Sequence, residues 1–304
     1  MLEVAIMLEG QNGLTWPRWK NIVRLVEESG FAGLYRSDHF TNMNPPDQAS
    51  LELWVSLTWL ADNTKRIEFG PLVAPFSFRH PALTARMASA VDDLSNGRLT
   101  LGLGSGWQER EHRLFGFDLL EPAPRFDRFE EGLQVTTQLL KSDAPVSFAG
   151  TYYQLREAIL LPRPHRPGGP RILIGGNGPT RTPGLVARYA DEWNAVFVTA
   201  TDFKRYNTRL DGILKDKGRD LRSVKRSLLI NCTFSESDVA LEQKLAARRR
   251  TAEQLRSNRA IVGTPGMIKE QLHELEESGV QRVMLQWLEL DDLAGMDALA
   301  KVAL

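Results

Sequence analysis

Four short stretches place reactive side chains beside glycines or at the ends of apolar runs. Ser37-Asp38-His39-Phe40 sets a carboxylate next to an imidazole. Such a pair orients a ligand and exchanges a proton near neutral pH, where histidine titrates. The same two residues could instead cap a turn and pack a ring, and the dipeptide alone does not separate these readings. Gly102-Leu103-Gly104-Ser105-Gly106-Trp107 spaces three glycines at alternating positions. That spacing lets backbone approach a flat ring or a phosphate, with Trp107 as an aromatic wall, although a tight bend needs the same glycines. Gly175-Gly176-Asn177-Gly178-Pro179-Thr180 precedes a helix and offers amide N–H groups to a phosphate, or is simply a glycine-rich helix start. Arg79 and His80 stand before Pro81, where capping and surface roles are the simpler reading.

Other chemistries lack their signatures. There is no Walker-type lysine loop, no G-x-S-x-G nucleophile elbow and no paired metal-ligand spacing, so no metal is expected. Glu111 and His112 are sequence neighbours that point different ways on a short helix, and His165 and His273 lie in a proline-rich loop and on a charged helix. The single cysteine, Cys232, excludes an intrachain disulfide and sits in the apolar run SLLINCTF, which reads as a small buried hydrophobe. Lysine plus arginine equals aspartate plus glutamate, at 38 each, so the footprint of a general nucleic-acid binder is missing. No stretch approaches the roughly 20 apolar residues of a membrane span. The start, MLEVAIMLEG, has no basic region followed by a long apolar segment, so a cytoplasmic protein is expected.

Short apolar runs alternating with amphipathic stretches must position these residues, and that alternation is the mark of repeated βα units on a parallel sheet. Strands are predicted at Val4–Leu8, Gly33–Ser37, Ile67–Val73, Leu99–Leu103, Ile172–Ile174, Trp193–Val198, Ser227–Thr233 and Val283–Gln286. Helices are predicted at Pro17–Ser29, Leu51–Asn63, Pro81–Leu94 and Arg125–Lys141, and a hairpin outside the sheet at Val146–Tyr153 with Gly150 in its turn. The charged stretch Asp238–Asn258 reads as a helical insertion after the seventh strand. Eight strands predict an α/β fold, a (β/α)8 TIM barrel, as one domain over residues 1–304 with insertions around 105–124, 143–170 and 234–260. The competing open doubly wound sheet would show a glycine fingerprint after its first strand, and EGQNGLTW is not one. In a barrel, residues just after each strand line the active site, which is where the four stretches fall.

These segments, together with FRHPALTARMASAVDDLSNGRLTLGLGSGW, EPAPRFDRFEEGL, TYYQL, RILIGGNG, ARYADEWN and VGTPGMI, resemble the luciferase-like monooxygenase superfamily, in its coenzyme F420-dependent oxidoreductase branch. The resemblance implies a bacterial luciferase-like barrel whose mouth holds the coenzyme between Asp38, His39, Leu72, Val73, Gly104, Ser105, Gly106, Trp107, Gly175, Gly176, Asn177 and Gly178. It also implies a cis peptide at Leu72-Val73 and hydride transfer between deazaflavin and an electrophilic carbon of a small organic substrate. His39 would serve as proton donor or anion stabiliser, positioned by Asp38. The coenzyme phosphate would meet the Gly175-Gly176 amides, and its acidic tail Arg110, Arg113, Arg163 or Arg166. Two alternatives stay open: a monooxygenase using reduced FMN from a separate reductase, and a non-catalytic flavin-binding protein. A homodimer is expected by the same resemblance.

Overall fold

The computed structural model describes residues 2–304. In chain order the elements are β1 (Glu3–Leu8), α1 (Trp16–Ser29), β2 (Gly33–Arg36), α2 (Leu53–Asn63), β3 (Glu68–Pro71), β4 (Ala74–Pro75), α3 (Pro81–Leu94) and β5 (Thr100–Gly104). There follow α4 (Glu109–Phe115), α5 (Pro122–Lys141), β6 (Val146–Ala149), β7 (Gln154–Ala158), β8 (Arg171–Gly175), α6 (Arg181–Tyr189), β9 (Glu192–Val196) and α7 (Ala200–Asp216). The chain ends with β10 (Lys225–Phe234), α8 (Asp238–Ala247), α9 (Ala252–Ser257), β11 (Ile261–Gly263), α10 (Pro265–Glu277), β12 (Arg282–Gln286) and α11 (Leu293–Ala303).

The main sheet is parallel and runs β3-β2-β1-β12-β10-β9-β8-β5-β4. A parallel bridge between Phe69 and Leu99 brings β3 against the start of β5 and closes the cylinder. Closure needs two bare backbones: a Cβ on Gly70 would lie 1.9 Å from the Thr100 carbonyl oxygen, and one on Gly102 2.1 Å from that of Pro71. The fold is therefore the expected α/β barrel, with β3 and β4 as two halves of the third strand. The predicted run Ile67–Val73 stops early at Pro71 because the chain turns through the cis peptide Leu72-Val73, which stands where the resemblance put it.

Alternation along the strands sorts the core. On β1, Val4, Ile6 and Leu8 pack with the helices, while Ala5 and Met7 join Tyr35, Leu72, Leu173, Leu229 and Met284 inside the cylinder. Helix starts follow local chemistry. Proline occupies the first turn of α1, α3, α5 and α10, where a missing N–H costs nothing. Helix α5 accordingly begins at Pro122, a turn ahead of the predicted Arg125, and α2 begins at Leu53, where Glu52 accepts the Val55 N–H at 2.7 Å.

The insertions also differ from expectation in detail. The hairpin reaches Ala158, because its turn covers residues 150–153 and the Glu131 carboxylate holds the amides of Thr151, Tyr152 and Tyr153 there. The stretch after β10 forms two short helices, and β11 beyond them pairs in parallel with the end of β10. Among the described residues no helix is long and apolar enough to cross a membrane. Cys232 is buried as expected, and burial pushes its thiol up to about 12.

At the amino-terminal end of the strands, the cylinder is plugged by Arg282, 1% exposed. Its guanidinium donates to the Tyr35 hydroxyl at 2.7 Å, to Glu192 at 3.1 Å and to Glu68 at 2.5 Å, and pairs with Glu3 at 2.6 Å. Burial alone would lower the pKa of this arginine, but Tyr35, Glu192, Glu68 and Glu3 together raise it above the ordinary value. Replacing Arg282 with alanine would strand the buried Glu192 carboxylate. The expected loss is about 3–5 kcal/mol of stability, read as a lower urea midpoint. An unchanged midpoint would show that the plug is dispensable.

Candidate active site

The carboxyl-terminal ends of the strands surround a cavity of about 430 Å³, within the size range of small-molecule and cofactor sites. Its wall is built in sequence order around the barrel. Met7 and Glu9 come from β1 and its end, Ser37, Asp38 and His39 follow β2, and Leu72, Val73, Pro75 and Phe78 surround β4. Gly104, Ser105, Gly106 and Trp107 follow β5, Gly175 and Gly176 end β8, Asn194, Val196 and Phe197 belong to β9 and its end, and Leu229 lies on β10. Ten of the twelve residues singled out from the sequence thus meet at one place.

Asn177 and Gly178 do not join them. The Asn177 side chain clamps the Val196 backbone, accepting its N–H at 2.9 Å and donating to its carbonyl at 2.6 Å. With Gly178 it lines an adjoining recess that also holds Trp193, Tyr206 and Arg209. The amide cradle expected at Gly175-Gly176 is also reduced, since the Gly176 N–H already donates to the Asn194 carbonyl at 2.9 Å.

His39 is held by Glu111, not by Asp38. Its Nδ1 lies 2.9 Å from Glu111 Oε1, while Glu111 Oε2 accepts the Phe40 N–H at 2.9 Å. The Glu111 side chain is 2% exposed and that of His39 18%. With Nδ1 donating to the carboxylate, Nε2 is left for the cavity. Burial works against the charged ring, but the hydrogen bond and charge of Glu111, helped by Glu9 and Asp38, outweigh it and raise the His39 pKa above the usual value. Trp107, 54% exposed, meets the imidazole edge-on at 5.5 Å.

Sequence order hid this pair, because Glu111 reaches His39 from α4. That helix is fixed at the mouth by its neighbour: His112 binds the Gln108 carbonyl at 2.7 Å and the Ser77 hydroxyl at 2.8 Å. Phe40, Phe78 and Phe117 then pack ring against ring beneath it. The sequence reading was right that Glu111 and His112 diverge, and the divergence is what sends one to the His39 ring and the other to the helix anchor.

Asp38 has a different partner. Arg79, read from sequence as capping or surface, instead forks onto the Asp38 carboxylate and reaches Glu52 at 2.8 Å. Burial raises the Asp38 pKa to about 6 against the opposing pull of Arg79. His80 does cap α3, accepting the Ala82 N–H at 3.2 Å. The arginines proposed for an acidic tail divide. Arg110 is paired with Asp47 at 2.7 Å, while Arg166 grips buried Asp92 and the Leu99 carbonyl, and Arg163 the end of α5, at the opposite pole of the barrel.

The sequence profile of the luciferase-like monooxygenase family matches residues 3–256. The chain belongs to this family. It is 30% identical over 228 residues to an F420-dependent glucose-6-phosphate dehydrogenase of Amycolatopsis mediterranei (strain U-32), covering 71% of this chain and 65% of that protein. It is 28% identical over 265 residues to an F420-dependent hydroxymycolic acid dehydrogenase of Mycobacterium tuberculosis (strain ATCC 25618 / H37Rv), covering 86% and 69%. The match thus spans just under two thirds of the glucose-6-phosphate dehydrogenase's length. In fold, the structure of an F420-dependent secondary alcohol dehydrogenase in complex with an F420-acetone adduct superposes with a TM-score of 0.86 at 18% identity, covering 99% of this chain and 98% of that one.

Two outcomes follow from these pairs. Glu111→Gln removes the charge that raises the His39 pKa, so the ring's midpoint in an NMR titration should fall to lower pH. In the native protein the pair's stabilisation is full below the unfolded histidine pKa and is lost as pH rises through the raised folded value. Arg79→Met removes the pull opposing burial and should raise the Asp38 pKa further above about 6, read from its carboxyl carbon shift.

Proposed function

We propose that this protein is an F420-dependent oxidoreductase that exchanges a hydride between the deazaflavin and a small organic substrate. The observation that carries the reading is an imidazole at the wall of a ring-sized cavity, locked through Nδ1 by a buried carboxylate so that Nε2 stays free. Its dehydrogenase relatives, which carry F420 dependence in their names, support the same class.

The cavity fits a flat heterocycle. Asn194, at the cavity wall, has a side-chain oxygen buried without a hydrogen-bond partner. Gly176 takes φ +122°, and a Cβ there would meet nothing within 4 Å, so the cavity keeps that volume clear. Gly104, Gly175 and the cis-linked Leu72-Val73 pair form the wall against which a ring would lie. Beyond Gly176, Arg209 lines the adjoining recess and has no ion pair among the described residues, which suits a phosphate or acidic extension.

The bound deazaflavin supplies or accepts the hydride; the chain handles binding and protons. His39 Nε2–H protonates the substrate heteroatom that receives the electron pair during reduction, and takes the proton back in oxidation. Glu111 holds the ring orientation and stabilises its charged form. Asp38, tied to Arg79, shapes the wall beside it. The reading carries with it a cytoplasmic homodimer whose reduced coenzyme comes from a separate reductase.

The test is a titration with F420 and with FMN, each oxidised and reduced, followed by His39→Ala with the tighter ligand. F420 should bind more tightly, and the variant should keep binding while losing on the order of 10² to 10⁴ in turnover. Reductive turnover by the native protein should decline as pH rises through the raised His39 pKa. Tighter FMN binding with oxygen consumption would favour the monooxygenase alternative, and unchanged turnover in His39→Ala would remove that residue from the mechanism.

A further inference from the structure

One carboxylate in the cavity has no role in the steps above. Glu9, at the end of β1, is held by two neutral amides: Gln11 Nε2 donates to Oε2 at 2.9 Å, and Gln286 Nε2 to Oε1 at 2.5 Å. The Gln11 side chain is itself fixed, accepting from the Ser37 hydroxyl at 2.8 Å, and that hydroxyl accepts the Gly10 N–H at 3.0 Å. Neighbouring strands therefore aim Glu9 rigidly, yet among the described residues no arginine, lysine or histidine forms an ion pair with it. Amides orient a carboxylate without neutralising it, and Glu9 stays partly exposed at the cavity wall, where a cationic ligand can reach it.

The surroundings leave the same imbalance. No lysine or arginine lines the cavity. Arg79 is taken by Asp38 and Glu52, and His39 by Glu111. Arg36, packed beneath Gly10, donates only to neutral groups on Ser56, Leu51 and Ser37, and its charge acts through space on Asp38, Glu52 and Glu9. Glu9 is the carboxylate on the cavity wall that lacks a direct ion pair. Trp107 and Phe78 add aromatic surface in the same cavity that attracts cations.

We infer that the site selects a substrate whose reacting nitrogen becomes cationic, an imine in the reductive direction or the corresponding amine in the oxidative one, with Glu9 as the group that pairs with the charge. This rests on the hydride-transfer reading above. The imine nitrogen takes the proton from His39 Nε2, and Glu9 stabilises the resulting iminium. A hydride from the reduced deazaflavin forms the new C–H bond, and the C=N π pair becomes the nitrogen lone pair. The coenzyme's second proton returns to His39, leaving amine and oxidised deazaflavin. An anionic substrate such as a sugar phosphate would meet Glu9 with no lysine or arginine on the wall to receive it.

The test compares ligands of one shape and different charge on the full chain by isothermal titration calorimetry, with and without bound F420. The probes are pyrrolidine, protonated at pH 8, neutral cyclopentanol and the cyclopentanecarboxylate anion. The native protein should bind pyrrolidinium about tenfold more tightly than cyclopentanol, the size expected of a charge-assisted hydrogen bond, and this margin should shrink with added salt. Glu9→Gln, matched in shape, should bring the two within about twofold, while Glu9→Asp should keep the preference at lower affinity. Unfolding curves show whether each variant is intact. Equal or tighter binding of cyclopentanol or the anion, or a preference that survives in intact Glu9→Gln, overturns the inference. Turnover separates it from the reading beneath: F420-dependent reduction of cyclopentenone but not pyrroline defeats the inference and leaves hydride transfer standing. Failure to bind F420 at all defeats the hydride-transfer reading, whichever probe binds best.

Discussion

A buried charge has to be paired, and Arg282 is where this molecule meets that constraint. It begins β12, yet its partners come from β1, β2, β3 and β9. A sheet closes into a cylinder only if strands far apart in sequence reach a common register, and apolar contacts inside a barrel are too undirected to fix one. A guanidinium with several partners fixes direction as well as distance. With the amino-terminal pole plugged in this way, the opposite ends of the same strands converge on one cavity, where the chemistry lies.

The two poles use charge differently. At the plug, the arginine gathers three carboxylates and the Tyr35 hydroxyl, and the network is structural. At the mouth, pairing is partial and graded. Asp38 is paired with Arg79, the charged form of His39 is favoured by Glu111, and Glu9 is oriented by two amides without a direct ion pair. A fully satisfied mouth would bind nothing strongly, because a ligand could offer no charge or donor that was not already supplied. The Glu9 carboxylate, held by two amides and without a direct ion pair, is the place where the fold leaves that work to a ligand.

Family membership and local geometry agree on the barrel, but they divide over substrate. The relatives named for a sugar phosphate and for a mycolic acid share less than a third of their aligned residues with this chain. A cavity wall without lysine or arginine is a property of this chain's own residues. Fold fixes where the strand ends lie, whereas the side chains at those ends decide what is recognised there.

The sequence by itself determined the barrel, because eight apolar runs separated by helical stretches bury their faces in few other ways. It also determined the glycine-rich rims and His39 at the mouth, because residues that follow barrel strands have nowhere else to go. What it could not determine were partners separated along the chain. Glu111 reaches His39 across 72 positions, and Arg79 reaches Asp38 across 41. No local periodicity encodes such meetings, so Asp38 was given a task that Glu111 performs. Asn177 read as part of the ring site, yet its amide matches the edge of β9 so well that it became a clamp. Arg163 and Arg166 looked free in a proline-rich loop, and only the closed barrel carried them to the far pole. Strand pattern is a local property of hydrophobic spacing; the pairing of charges depends on which loops the closed cylinder brings within about 3 Å of each other.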